Sequence, residues 1–86
     1  MLPDDILEKI KKDLNDSQIK IFTEFAKYDE GEGFTSEELE LRLKLAHQAV
    51  SPRLPELVRL NLLEDKGIRR KTLAGRPATV YTLKRP

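Results

Sequence analysis

The stretch "TSEELELRLKLAHQAVSPRLPELVRL", residues 35–60, contains the start of two successive helices. Thr35 is followed three residues later by Glu38, the spacing of a capping box, in which each side chain bonds the backbone N–H of the other residue. Apolar residues then recur at helical spacing and form an inward face at Leu39, Leu43 and Ala46. We therefore predict a short helix that begins at Thr35 and is followed by a break around residues 45–47.

The second helix of this stretch has to accommodate two prolines. Its apolar face consists of Val50, Leu54, Leu57 and Val58. Pro52 and Pro55 have no N–H to donate, which a helix tolerates freely only in its first turn. The helix therefore begins either near Ser51, with Pro52 in the first position, or near Gln48 with a kink. We favour Gln48 because Val50 then keeps the apolar period, and we expect Asn61 to end the helix in the left-handed conformation.

After Asn61 the apolar period falls from about 3.6 residues to about 2, which predicts strands. Leu63 begins an extended segment in which Lys66 and Gly67 allow a bend or bulge. Residues 68–71 are the first arm of a predicted hairpin, "TLAGRP" (72–77) is its connection, and "ATVYTL" (78–83) is the returning strand.

Two further helices are predicted upstream. The first, over residues 1–14, is amphipathic and has Pro3 in its first turn. Its apolar residues at helical spacing are Leu2, Ile6, Leu7, Ile10 and Leu14. This helix either covers the core or contacts a partner. A second helix begins at Asn15, where Gln18 completes a capping box, and its apolar face is Ile19, Phe22, Phe25 and Ala26. The acidic "DEGEG" (29–33) predicts a flexible turn, since it lacks the ligand spacing of a calcium loop.

The charge of the chain is unevenly distributed. Residues 1–43 contain twelve acids and six Lys or Arg, whereas residues 44–86 contain ten Lys or Arg and three acids. From Lys66 onward there are seven cations and no acid. This asymmetry indicates that the C-terminal half contacts a polyanion, although a solvated basic surface would show the same composition.

Several functional classes are disfavoured. The 86 residues predict a single domain, residues 1–86, and the absence of cysteine together with one histidine, His47, makes a metal site improbable. No nucleophile and base stand at a recognisable spacing, so we predict no enzyme, catalytic residue or cofactor. There is neither a signal peptide nor a membrane-spanning apolar run, from which we expect a cytoplasmic protein.

Two stretches resemble a known family. "SEELELRLKLAHQAVSPRLPELVRLNLLED" and "RRKTLAGRPATVYTL" look like the winged-helix DNA-binding domains of MarR-type bacterial regulators, and still more like small phage and prophage proteins of that architecture. The pieces "VSPRLPEL" and "RKTLAGRPATVY" resemble the recognition helix and the wing, and the two prolines depart from the usual pattern. The resemblance implies a mainly α (α+β) winged helix-turn-helix with three core helices, an N-terminal helix, a helix-turn-helix over 35–60 and a two-stranded wing over 63–84.

The predicted DNA contacts lie on the second helix of the pair and on the wing. Gln48 suits adenine, Arg53 suits guanine or a phosphate, and Ser51 can contact either kind of group. The implied wing brings a basic run to the phosphates and Arg76 to a narrow minor groove. The full predicted set is Gln48, Ser51, Arg53, Arg59, Arg69, Arg70, Lys71 and Arg76.

Three functions remain open from the sequence. The first is a sequence-specific transcriptional regulator that binds double-stranded DNA, and the second is an accessory DNA-binding protein in phage recombination, excision or replication. The third is a winged-helix protein–protein interaction module, which the acidic N-terminal half favours. We expect a homodimer through the N-terminal helix, no small-molecule effector, and a location at the nucleoid or, for a phage protein, in the host cytoplasm.

Overall fold

The computed structural model describes residues 4–29 and 31–84. The predicted roles of Leu2 and Pro3, and of the side chains of Ile6 and Leu7, lie outside the described part. The elements in chain order are α1 (Asp4–Lys11), α2 (Asp16–Tyr28), α3 (Ser36–Leu43), α4 (His47–Val50), α5 (Arg53–Arg59), β1 (Leu63–Lys71) and β2 (Pro77–Leu83). No helix within the described ranges is long and apolar enough to cross a membrane.

Helix α2 lies at the centre of the core, and its start is the predicted one. The Gln18 N–H donates to Asn15 Oδ1 at 2.9 Å, and the Asn15 N–H donates to Gln18 Oε1 at 3.0 Å, which completes the capping box. Val80 is buried as well, and the main cluster of buried side chains consists of Ile21, Phe22, Phe25, Ala26, Leu39, Val50, Leu54, Leu57, Leu63 and Leu83. Ile10 and Leu14 pack against this cluster, so the segment around α1 covers the core.

The turn after α2 is more ordered than its acidic, glycine-rich composition suggests. Asp29 is only 3% exposed, and its Oδ1 accepts hydrogen bonds from the N–H groups of Gly31 and Gly33. Its Oδ2 accepts a third from the Leu83 N–H at 2.8 Å. The carboxylate therefore attaches the turn to the last residue of β2. The sequence predicted a flexible turn and did not predict this attachment.

The hairpin is joined by a third extended position. Strands β1 and β2 pair antiparallel from Leu63↔Leu83 to Lys71↔Pro77, with an irregularity between Asp65 and Arg69 that confirms the predicted bulge. Phe34 exchanges two backbone hydrogen bonds with Tyr81 of β2, at 2.9 and 3.0 Å. Because Phe34 directly precedes the cap of α3, this bridge connects the sheet to the start of the helix pair.

Helix α3 begins with the predicted capping box between Thr35 and Glu38. It ends at Lys44, which adopts a left-handed conformation with φ 56°, and the Leu45 N–H donates to Glu40 O at 3.1 Å. Ala46, expected on the inward face of α3, is instead exposed and stands at the N-cap of α4. The expectation was wrong because the reversal at Lys44 ends the helical period before residue 46.

The helix that follows is divided at the two prolines, as predicted for a helix that begins near Gln48 and is kinked. The first turn, α4, begins at His47, and Ser51 and Pro52 keep right-handed helical angles between α4 and α5. Pro52 is the N-cap of α5 and Pro55 lies in its first turn, where backbone N–H groups have no intrahelical acceptor in any case.

Helix α5 ends in a Schellman motif around Asn61, whose φ is 63°. The Asn61 N–H donates to Val58 O and the Leu62 N–H donates to Leu57 O, both at 3.0 Å. The chain then enters β1 directly. The order of helix, bridge, helix, turn, helix and antiparallel hairpin is that of a winged helix-turn-helix, so the predicted α+β fold class is confirmed.

Candidate nucleic-acid interface

The start of the helix that follows the turn is exposed. Gln48, in α4, lies open to solvent one residue after His47. The His47 Nδ1 lies 2.9 Å from Glu40 Oε2, so the imidazole contacts α3 across the turn. This contact joins α4 to α3, while the Gln48 side chain makes no hydrogen bond within the described residues.

Arg53 is held by side chains on two helices. Its Nε is buried and lies 3.0 Å from Glu56 Oε1, the distance of an ion pair, but the N–H is not aligned for a hydrogen bond. Gln18 Nε2, from α2, donates to the same Glu56 oxygen at 3.0 Å. Because Gln18 fixes Glu56 and Glu56 lies against Arg53 Nε, the guanidinium is oriented before any partner arrives.

The remaining predicted residues of this helix differ in exposure. Ser51 is half-buried between α4 and α5, and its N–H donates to His47 O at 2.9 Å. Arg59, in the last turn of α5, is exposed and has no acidic partner within residues 4–29 and 31–84.

Arg70 occupies a different environment from the other predicted wing cations. Its Nη1 donates to Glu38 Oε1 and Oε2 at 2.6 and 2.7 Å, and its Nη2 donates to Glu32 O at 2.8 Å. The guanidinium therefore joins β1 to the capping box of α3 and to the turn before it. This placement gives Arg70 a structural role and leaves it few donors for the phosphate contact that its sequence position suggested.

The other basic residues of the hairpin are exposed. Arg69 lies 3.7 Å from Asp65 Oδ1, a long and half-exposed ion pair. Lys71, the last residue of β1, and Arg76, in the connection, are both exposed, and neither has an acidic partner in the described part of the chain.

The connection at the tip is ordered by its backbone. The Thr72 N–H donates to Arg76 O at 2.8 Å and the Gly75 N–H donates to Thr72 O at 2.9 Å. The Leu73 N–H donates to Glu37 Oε1 at 3.0 Å, which ties the tip to the first turn of α3. The loop between Lys71 and Arg76 is thus attached to the helix that begins the helix-turn-helix.

The described residues contain no group of three or more histidine, cysteine, aspartate or glutamate side chains that could hold a metal ion. Partial burial, and to a lesser degree the Asp65 carboxylate, raise the pKa of Tyr81, while Arg69 opposes the shift. Tyr81 is therefore a neutral phenol at neutral pH and adds no negative charge beside the hairpin.

Sequence reasoning missed three residues that shape this surface. Glu56 and Gln18 orient Arg53, and Leu73 projects from the tip of the hairpin. The spacing of Arg53 and Glu56, three residues apart on a helix, could have suggested their pairing. The contact of Gln18 with Glu56 spans 38 positions and had no sequence signal.

Comparisons with known proteins support the fold. No protein-family model matches the sequence, and no curated protein matches it. Among solved structures, the fold is similar to that of a "possible transcriptional regulator" from Methanosarcina mazei Go1, with a TM-score of 0.69 at 15% sequence identity. The similarity covers 95% of this chain but 66% of the other, so this chain spans just under two thirds of that protein's length. At 15% identity this similarity supports the fold alone, which in this chain has the element order of a winged helix.

Proposed function

We propose that the protein is a DNA-binding transcriptional regulator that reads the major groove with α4 and α5. The basic hairpin then contacts the DNA backbone or the minor groove. One observation carries the proposal: Arg59, Lys71 and Arg76 are exposed and without acidic partners in residues 4–29 and 31–84, on the helix and hairpin of a winged helix. The description of the structural neighbour as a possible transcriptional regulator supports the same class of function.

In this proposal, side chains in α4 and at the start of α5 recognise the DNA bases. Gln48 is exposed, and its amide can donate to and accept from adenine at once, whereas Arg53 can donate two parallel hydrogen bonds to guanine. Arg53 uses its terminal nitrogens for this contact, because Nε faces Glu56. Ser51, half-buried beside them, is the third proposed contact. A Gln48→Ala variant should lose preference at one base position, as measured by selection from a random-sequence library.

Affinity comes chiefly from the phosphates. Four cations are proposed to contact phosphates directly, namely Arg59, Arg69, Lys71 and Arg76, while Arg53 is proposed to contact a base. If each cation neutralises one phosphate, each contributes about −0.9 to the salt dependence of binding. A plot of the logarithm of the DNA-binding constant against the logarithm of the salt concentration should therefore have a slope of about −4. Arg70 is left out of this count because Glu38 and Glu32 already occupy its guanidinium.

The first test is fluorescence anisotropy with a labelled random-sequence duplex. We expect micromolar binding at about 50 mM salt that weakens by about 200-fold at about 200 mM, as a slope of about −4 implies. Absence of binding at low salt would refute the DNA proposal and favour the protein–protein interaction module, in which case the acidic N-terminal half is the surface to examine.

Two finer points also remain proposals. A role in phage recombination, excision or replication uses the same contacts, and footprinting of the preferred sites, at promoters or at recombination and replication sites, separates it from transcriptional regulation. Since a module this small discriminates poorly alone, we propose that a homodimer binds two half-sites about one helical turn apart. Sedimentation of the DNA complex measures its stoichiometry, and one copy per specific site would contradict the dimer.

A further inference from the structure

Leu73 is an apolar side chain at the tip of a basic hairpin. It is 86% exposed, more than any other large apolar side chain in the described part of the chain. It lies between Lys71 and Arg76, and its neighbours Ala74 and Gly75 are small and exposed. Exposure of one leucine is common on protein surfaces, so its meaning depends on how it is held and on what surrounds it.

The backbone that carries Leu73 is held from both sides. Across the connection, the N–H groups of Thr72 and Gly75 donate to carbonyl oxygens within the loop, and the Arg76 N–H lies 3.3 Å from Thr72 Oγ1. From α3, Glu37 accepts the N–H of Leu73 itself at 3.0 Å. The loop is therefore pre-organised with its apolar side chain outward, so presenting Leu73 to a partner needs no further ordering of the loop.

The charge around Leu73 selects the chemistry of that partner. Lys71 and Arg76 have no acidic partners among residues 4–29 and 31–84, and the sequence contains no acid after Asp65. A stable protein interface buries about 800 Å² on each partner, far more than a single side chain at a loop tip provides. The minor groove of DNA combines phosphates for the cations with base steps into which an apolar side chain can insert.

We propose that Leu73 inserts into the minor groove as an apolar wedge while Arg76 and Lys71 hold the flanking backbone, and that binding thereby bends the DNA. This inference rests on the proposed DNA binding and adds a deformation of the duplex to it. Leucine is among the side chains that partly unstack a base step and kink the duplex toward the major groove. Flexible pyrimidine–purine steps would then be preferred at positions that the helix does not read.

The test is ligase-catalysed ring closure of DNA fragments of about 120 bp, shorter than the persistence length of about 150 bp, so that closure depends on bending. Binding to the same DNA is measured in parallel by anisotropy. We expect the unmodified protein to raise the rate of ring closure about tenfold or more, because bending a short duplex is costly without it.

Variants at Leu73 distinguish the effect of its apolar side chain on DNA bending from the effect of the neighbouring cations on affinity. Leu73→Ser should keep the salt slope of DNA binding, because no phosphate contact is lost, and its ring closure is measured at a protein concentration that saturates the DNA. It should nevertheless lose most of the ring-closure enhancement. Leu73→Met should keep the enhancement, since methionine also acts as a wedge. Leu41→Ser, a change at an exposed leucine on α3 outside the proposed interface, is the matched control and should alter neither measurement.

The outcomes distinguish the two proposals. No binding of the unmodified protein would overturn both. Binding without faster ring closure, or equal ring closure by Leu73→Ser and the unmodified protein, would overturn the wedge and leave the DNA-binding function intact. Circular dichroism confirms that each variant is folded before the comparison is made.

Discussion

At Gly33 the chain passes so close to β2 that no side chain fits. The residue is buried with φ +74°, and a Cβ there would lie 2.3 Å from Tyr81 O and 2.8 Å from side-chain atoms of Thr82 and Val80. The Gly33 N–H donates a hydrogen bond to Asp29 Oδ1, which fixes the backbone in this position. Close approach, rather than flexibility, therefore explains the second glycine of "DEGEG".

Gly33→Ala should destabilise the protein by about 3 kcal/mol or more, because backbone must move to admit the methyl group. Gly67→Ala is the matched control, since Gly67 has φ +82° but open space around its Cβ position. Gly67→Ala should lower the free energy of unfolding by only about 1 kcal/mol, the cost of placing alanine in the left-handed conformation. Urea unfolding monitored by circular dichroism measures the stability of both variants. Equal losses of stability would show that the left-handed conformation, and not the contact of a Cβ with β2, is what requires glycine at residue 33.

Lys44 carries conformational strain at the turn between α3 and α4. Its φ of 56° places a non-glycine residue in the left-handed region, and its side chain is exposed without an acidic partner in the described ranges. Lys44→Gly should raise stability by about 0.5–1 kcal/mol, since the strain is removed and no contact is lost. Thermal unfolding should show a midpoint higher by about 3–6 °C for a domain of this size. A lower midpoint would mean that Lys44 makes a contribution beyond its backbone conformation.

At the scale of the elements, the hairpin is attached to α3 rather than lying free. Arg70 bonds Glu38, and Glu37 accepts the N–H of Leu73, so two consecutive acids in the first turn of α3 each bind a part of the hairpin. The same two acids lie at the positive end of the α3 dipole, and the sequence predicted a role for Glu38 only in the capping box. Of two adjacent residues of β1, Arg70 is therefore engaged within the fold, whereas Lys71 is exposed.

Arg70→Ala and Lys71→Ala should therefore differ in their effects. Arg70→Ala should cost about 1 kcal/mol of folding stability, because a half-exposed ion pair and a hydrogen bond to Glu32 O are lost. Lys71→Ala should leave stability unchanged but reduce the salt slope of DNA binding by about one. Unfolding and anisotropy titrations measure the two quantities. The reverse pattern would place Arg70 in the interface and remove Lys71 from it.

At the scale of the whole molecule, the position of a cation should matter more than the net charge. Lys27, exposed in the last turn of α2, and Lys71 each contribute one positive charge without an acidic partner in the described part of the chain. Lys27→Ala should leave affinity within about twofold, whereas Lys71→Ala should weaken it and lower the salt slope by about one. Equal effects of the two variants at low salt would show that DNA binding reflects net charge and has no defined surface.

Much of the fold was readable from short-range patterns. The capping boxes at Asn15 and Thr35, the left-handed Asn61 and the bulge beside Gly67 each depend on residues within a few positions of one another. Of the predicted site residues, the exposed placement of Gln48, Arg59, Lys71 and Arg76 agrees with the expected surface, while their contacts with DNA stay predictions.

The sequence by itself determined the order of the elements and the basic character of the C-terminal half, because caps, turns and apolar periods act between near neighbours. Only the tertiary structure decided which cations are already engaged, since the partner of Arg70 lies 32 positions away and Gln18 reaches Glu56 across 38. It likewise decided that Asp29 and Gly33 join the turn to β2, a contact that brings residues 54 positions apart together. Such pairings depend on how the helices and the sheet pack, and a linear pattern carries no information on them.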